Sequence, residues 1–477
     1  MKNNMKKITI LLLIAFISIG CDDNFLNEPV PTSSVSDVVI FGSREGAEAL
    51  LSGIHRNFRG QFTEGRVDAS GLSSIFMARA VKGNDLIQNS WYNFDYDNDN
   101  REPTYVRTVF SWEYPYFLIN QANSLINGVE ASTAISDSDK TQLIAQGKAL
   151  RAFFYFQLAL EFQHTYTYDP SLPAPPIYTE LSLEGKPMTT LSELYNFIVA
   201  DLTDAVAGLD NSRLGKSYVN KQVANGILAN VYLVMENWEG AEIAAHDAYG
   251  GNVSSALDAS SYGDGFDDIE NIEWIWGMPQ TNDQSNYYFG APHVFTDHNA
   301  DGYFGTYVNR DFVALFSSTD VRNLFETPYG GTPDNWDYYT TTKFTFAFES
   351  DVPIMRTPEM ILIEAEAKFR QGGAGETQAH DLLFQLQSNR DPNAVKSTNT
   401  GNALLEEILV ERRKELYAEI GVEWFDAKRL RRGIPRTGNH RLINSFLVPD
   451  DKKFFLKIPQ KEIDANENID DSVNANR

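Results

Sequence analysis

Trp91-Tyr92-Asn93, Asn286-Tyr287-Tyr288 and Trp336-Asp337-Tyr338-Tyr339 each set aromatic side chains beside amides or carboxylates. That pairing suits one kind of chemistry. A pyranose presents an apolar face of C–H groups and an equator of hydroxyls. An aromatic ring stacks on the face with little loss of side-chain entropy, and Asn, Asp or Arg binds the hydroxyls. Tyr96 belongs with this set, in an aromatic cluster from Trp91 to Phe117, as does Trp276, in a stretch from Tyr262 to Phe346 where 20 of 85 residues are aromatic. The candidate ligand anchors are therefore Trp91, Tyr92, Asn93, Tyr96, Trp276, Asn286, Tyr287, Tyr288, Trp336 and Tyr338. Against each stands a plainer role in the core, where large aromatics usually lie. Trp274 and Trp276 alternate about Ile275 like a strand, which predicts that one of the two is buried.

Other chemistries fit less well. Asp297-x-Asn299-x-Asp301-Gly302 matches the first half of an EF-hand loop, but Val308 stands where a bidentate carboxylate is needed. Asp95-x-Asp97-x-Asp99 lacks both the glycine and the glutamate. Asx-rich turns are the expectation for both, with no metal and no cofactor. Arg412, Arg413, Lys414, Lys428, Arg429, Arg431 and Arg432 interleave with Glu411, Glu415, Glu419 and Asp426 at helical spacings. This predicts a salt-bridged helix face rather than a site for an anionic ligand. The seven histidines form no H-E-x-x-H pattern, and there is neither a G-x-S-x-G elbow nor a phosphate loop. A glycosidase carboxylate pair meets only in space, so a surface glycoside hydrolase stays open as the alternative class. The expectation is a binder and not an enzyme. A helical scaffold that binds only protein is a third class, and it has no need of the aromatic stretch.

These residues sit in a chain of 477, of which 42% are hydrophobic and 22% charged. The apolar share supports a packed core. Forty Lys+Arg against 65 Asp+Glu give a net charge of −25, which argues against nucleic acid as a partner. The single cysteine excludes an internal disulfide. Lys2, Lys6 and Lys7 precede the apolar run Ile8 to Gly20, which is too short to span a bilayer and reads as a signal-peptide core over residues 1–20. Cys21 stands where that run stops, and Ser18-Ile19-Gly20-Cys21 resembles the lipobox of bacterial lipoproteins. The expectation is acylation at Cys21, a lipidated tether over 21–36 and a folded body over 37–477. Asp22 and Asp23 resemble the acidic surface-export signal of Bacteroidetes lipoproteins.

The elements that must hold the candidate anchors read as helix pairs, so the fold class is mainly α. Helical faces recur at Glu45 to Arg59, Tyr116 to Val129 and, with Leu143, Gly147, Leu150, Phe154 and Leu158, at Asp139 to Phe162. Thr190 and Glu193 form a capping box before Leu194, Ile198, Leu202 and Val206. Val219 to Met235, a turn with Trp238 and an alanine-faced helix resemble a tetratricopeptide repeat. Pro358 to Phe369 and Ala379 to Ser388 form a similar pair, and Leu404 to Ala418 closes the set. A long irregular region, about 251–353, interrupts this scaffold and is expected to supply the binding face.

Several segments are similar, in order, to those of the SusD/RagB family of outer-membrane nutrient-binding lipoproteins. They are Cys21 to Pro29, Lys148 to Phe156, Leu172 to Thr179, Glu411 to Leu416, Glu423-Trp424-Phe425-Asp426 and Ile458 to Asn466. The resemblance implies a helical, tetratricopeptide-like scaffold and a cell-surface lipoprotein facing the exterior. It also implies capture of an oligo- or polysaccharide for a SusC-like TonB-dependent transporter in the same membrane. Capture of peptides or another oligomeric nutrient is the alternative within the family.

Overall fold

The computed structural model describes residues 37–59, 69–89, 101–281, 292–299 and 305–477. The leader, Cys21 and the tether lie outside the described residues. In chain order the elements that matter here are α1 (Arg44–Arg56), α2 (Leu72–Ala80), β1 (Leu86–Gln88), α3 (Val106–Ala131), α4 (Asp137–Phe162), α5 (Leu191–Gly208), α6 (Lys221–Met235) and α7 (Trp238–Tyr249). There follow β2 (Trp274–Met278), β3 (Thr306–Val308), β4 (Val352–Arg356), α8 (Thr357–Gln371), α9 (Ala374–Arg390), α10 (Asn402–Leu416) and α11 (Val422–Arg429). Helices pack in succession, α3 on α4, α4 on α5, α6 on α7, α7 on α8 and α8 on α9. The fold is mainly α, a tetratricopeptide-like stack of helix pairs.

The stack follows from the sequence pattern. Leu143, Gly147, Leu150, Phe154 and Leu158 are all buried on one face of α4. A Cβ at Gly147 would come 2.7 Å from Ile126 Cγ1, so only glycine permits this approach of α4 to α3. The α5 start is fixed by the capping box: Glu193 N–H donates to Thr190 Oγ1 at 3.1 Å and Thr190 N–H to Glu193 Oε2 at 2.9 Å. Arg151, at the centre of the Lys148–Phe156 segment, ties three helices together. It donates to both carboxylate oxygens of Asp201 on α5, at 2.7 and 2.8 Å, and to Asn123 Oδ1 on α3 at 2.9 Å.

Helix α3 begins ten residues before Tyr116, where the hydrophobic pattern set its start. Pro115 was a natural stop, because proline in a helix interior removes a hydrogen bond and costs ~3 kcal/mol or more. Here Phe110, Trp112, Tyr114 and Pro115 are all buried. Their burial offsets that cost, and the later part of the Trp91–Phe117 cluster is core.

Between α7 and α8 the chain leaves the helical register but not the core. β2 pairs antiparallel with β4, and β1 pairs antiparallel with β3. Tyr262, Phe266, Trp274, Phe295, Phe312, Phe316 and Phe344 form a second hydrophobic cluster, closed by Tyr417 just past α10. Most aromatics of this insert that can be described therefore hold it together.

Buried charge fastens the insert to the helices. Glu415 on α10 accepts Arg322 at 3.0 Å, Arg356 at 3.0 Å and Arg390 at 3.1 Å. Glu419 takes Arg356 at 2.7 Å and Lys343 at 2.6 Å, while Glu273 takes Arg390 at 2.8 Å. Burial alone would raise the Glu415 carboxyl, but Arg390, Arg356 and Arg322 hold it well below the usual range. The interleaved charges at α10 and α11 are thus salt-bridged, though largely not along the helix. Arg412 and Arg429 meet at Asp426, Arg429 also reaches Glu366, Arg413 pairs with Asp85, and Lys414 with Asp320 at 2.9 Å. Lys428 donates to the Leu160 carbonyl, Arg431 pairs with Asp450 and Arg432 with Glu406.

Candidate functional site

An aromatic group gathers where β1 and β3 meet, with a buried Tyr307, a half-buried Trp336 and an exposed Tyr329. Ile87 pairs with Tyr307, and Val308 N–H donates to the Tyr339 carbonyl at 2.9 Å on the other edge of β3. Successive strand residues face opposite ways, so Thr306 and Val308 turn inward while Tyr307 turns toward Trp336. The two rings meet edge to face, with centroids 5.0 Å apart. Trp336 is half-buried, at the end of a turn closed by Asn335, whose Oδ1 accepts Thr332 N–H at 2.8 Å. Tyr329, half-exposed at 52%, lies 6.1 Å from Tyr307 by centroids.

His298 fixes the direction of one proton. Its Nε2 faces the Thr306 carbonyl at 2.8 Å and its Nδ1 the Tyr329 hydroxyl at 2.8 Å. A carbonyl only accepts, so Nε2 carries the hydrogen, and the neutral ring then accepts from Tyr329 at Nδ1. Burial lowers this histidine's pKa and keeps it neutral. The Tyr329 oxygen is left with its lone pairs for a ligand hydroxyl.

Arg441 completes the group. Its guanidinium lies 5.5 Å from the centre of the Trp336 ring, and Nη1 donates to the Gln88 and Asn89 carbonyls. Behind it runs a chain of amides. Asn439 donates to the Asn335 carbonyl at 2.7 Å, Asn309 to those of Asn84 and Thr437 at 2.9 Å each. Glu423 on α11 accepts the backbone amides of Asn84 at 2.7 Å and Asp85 at 3.0 Å. The helical stack thereby sets the start of β1 and, through β3, the ring of Tyr307.

The His298 imidazole is engaged at both nitrogens, and the half-buried Trp336 ring has the Arg441 guanidinium beside it and Tyr307 linking it to the exposed Tyr329. That is a platform for a sugar face with donors and acceptors for its hydroxyls.

The expected anchors fare differently. Trp336 is part of the platform. Tyr338 is half-buried, and its ring contact among the described residues is with Tyr339, at 4.7 Å. Trp276 is corrected: it is fully buried, donates Nε1–H to the Ser217 carbonyl at 2.9 Å and packs against Phe58 and Phe153. Trp274 is buried as well, because β2 is covered on both faces. Trp91, Tyr92, Asn93, Tyr96, Asn286, Tyr287 and Tyr288 lie outside the described residues, as do Asp95, Asp97, Asp99, Asp301 and Gly302. Asp297 is engaged in a turn, accepting Asn299 N–H at 2.7 Å and Phe346 N–H at 2.8 Å. Tyr307, Tyr329, His298 and Arg441 went unread in the sequence. The aromatic density around Tyr307 and Tyr329 was the one available signal.

Comparison with known proteins agrees with the fold. A family model described as SusD-like, starch-binding and associating with the outer membrane matches residues 66–233, and the SusD family model matches residues 331–474. A SusD-like protein of Bacteroides ovatus is 24% identical over 49% of this chain, and the match spans 40% of that relative. A SusD-like carbohydrate-binding protein of Bacteroides vulgatus superposes with a TM-score of 0.80 at 27% identity, covering 90% of this chain and 98% of its own. The surface glycan-binding protein A of Bacteroides thetaiotaomicron, solved with laminarihexaose, shares the fold with a TM-score of 0.70 at 16% identity, over 89% of this chain and 98% of that one.

Proposed function

This chain belongs to the SusD/RagB family, and from that premise we propose that it is a cell-surface lipoprotein that captures oligo- or polysaccharide and delivers it to a SusC-like TonB-dependent transporter. Acylated Cys21 holds the body at the outer membrane, and the Tyr307–Trp336 platform holds the ligand.

The observation that carries the reading is the Trp336 ring itself, propped by Tyr307 and flanked by Arg441 and the half-exposed Tyr329. The laminarihexaose bound by a protein of the same fold supports a glycan as ligand. Trp91 and Tyr92 are proposed as further anchors, since Asn89, whose carbonyl Arg441 holds, leads directly into their segment. A receptor that passes its ligand on gains nothing from tight binding. An affinity of about −4 to −7 kcal/mol, ~1 mM to ~10 µM, is expected.

Affinity electrophoresis of the folded body through gels cast with different polysaccharides tests the reading. Retardation by at least one, with no new reducing ends released, is the expected result. Free migration through every gel would count against a glycan receptor, and released reducing ends would make it a hydrolase.

A further inference from the structure

The charges around the platform narrow its ligand, an inference that rests on the glycan reading and deepens it. Glu326 lies three residues before Tyr329, and its carboxylate's one hydrogen-bond partner among the described residues is the Asn299 side-chain amide at 3.5 Å. Asp337 follows Trp336, near enough to Tyr307 that, after burial and Tyr329, it helps push that hydroxyl up to about 12. Neither carboxylate has an ion-pair partner among the described residues. Two further acids, Asp334 and Asp311, share Arg310.

The cations do not balance them. Arg310 is engaged by that pair of aspartates, and His298 is kept neutral by burial. The basic residues of α10, α11 and the turn after them are taken up by the contacts already described. Among the described residues Arg441 has no carboxylate partner, and its Nη1 is committed to backbone carbonyls. Among the described residues about the platform, two carboxylates and one cation are therefore left without an oppositely charged partner.

A ligand carboxylate or sulfate entering this region would lose water beside like charge and find little to replace it. A ligand hydroxyl would instead donate to Asp337 or Glu326 in a charge-assisted hydrogen bond. We propose that the platform selects an uncharged pyranose glycan and rejects uronate-bearing or sulfated chains, with Asp337 and Glu326 as the residues that enforce the choice. Rejection here is a matter of repulsion as much as of fit.

Calorimetry on matched pairs tests this, using laminari-, cello-, malto- and xylo-oligosaccharides, each unmodified and sulfated. For whichever backbone binds, the unmodified form should bind at least about tenfold more tightly in low salt, and the ratio should shrink in about 0.5 M NaCl as the repulsion is screened. The double variant Glu326→Gln, Asp337→Asn should narrow the low-salt ratio at least about fivefold while circular dichroism stays unchanged. A wild-type protein that prefers the sulfated member overturns the charge selection and leaves the glycan reading standing. A double variant that keeps the full ratio overturns the role of these two residues. If neither member of any pair binds, the glycan reading itself fails and this inference fails with it.

Discussion

Arg441 holds its guanidinium 5.5 Å from the centre of the Trp336 ring while donating to the carbonyl of Gln88 at 3.3 Å. One side chain thus joins the turn that presents Trp336 to the strand β1 that orders Tyr307. The proposed ligand platform is a product of that junction.

Trp336→Ala should weaken binding of the best glycan by roughly 1–3 kcal/mol, since few residues carry most of the energy of such a contact. Tyr329→Phe, which keeps the ring and removes the hydroxyl, should lose less, about 0.5–1.5 kcal/mol. Calorimetry gives both numbers, with circular dichroism as the folding control. Wild-type affinity in both variants would mean that the ligand sits elsewhere.

Trp276→Ala should behave in the opposite way. The ring is enclosed by Phe58 and Phe153, so its loss should cost about 3–5 kcal/mol of stability. Urea unfolding should show the midpoint falling sharply. A stable variant with selectively lost binding would return Trp276 to the list of anchors.

Glu415→Gln should destabilise the fold by about 3–5 kcal/mol, because Arg322, Arg356 and Arg390 would be left buried without their shared counter-charge. Pairs out of water are weakly screened, so the loss should persist in about 0.5 M salt. A cost that vanished in salt would show the network to be open to solvent.

The Glu359 contribution to stability should rise as the pH falls from about 7 toward 5. Burial, aided by Glu419, pushes the Glu359 carboxyl up to about 7 against the opposing pull of Arg412 and Asn230. A carboxyl whose folded pKa exceeds its unfolded value binds more protons when folded, so it favours the fold below that pKa and opposes it above. Glu359→Gln should therefore stabilise the fold at pH 8 by on the order of 1–3 kcal/mol, seen as a raised Tm, and change little at pH 5. Equal effects at both pH values would mean that Glu359 titrates normally.

Cys21→Ala should abolish incorporation of labelled palmitate and release the protein from the membrane fraction. Retention in the outer membrane would exclude Cys21 as the anchor.

The helical part of this fold was legible because its signals are local. Thr190 and Glu193 stand three residues apart in sequence and cap each other in space, and the α4 stripe is buried as its spacing predicts. Periodicity could not show that β2 is covered on both faces, so the alternation at Trp274 and Trp276 suggested one exposed ring where there is none. Helical spacing put Glu415 and Glu419 among nearby basic residues, yet their partners Arg322, Lys343 and Arg356 arrive from a segment with no repeat to read. Arg441, His298, Tyr307 and Tyr329 come together only through the β1–β3 pairing and the amide chain around Asn309. No pattern within one segment records that meeting. The family segments proved legible for the same reason that they are silent about ligand: Arg151, Glu415 and Trp424 are buried in the scaffold.

The buried charges also separate two jobs that a binding protein usually mixes. Glu273, Arg322, Lys343 and Arg356 root the insert in the helices, whereas Tyr329 and Trp336 ride on turns between those roots. A change of length or composition in such a turn leaves the anchoring charges where they are. On the proposed function, exchanging those turns would rewrite ligand choice while the scaffold beneath goes on folding as before.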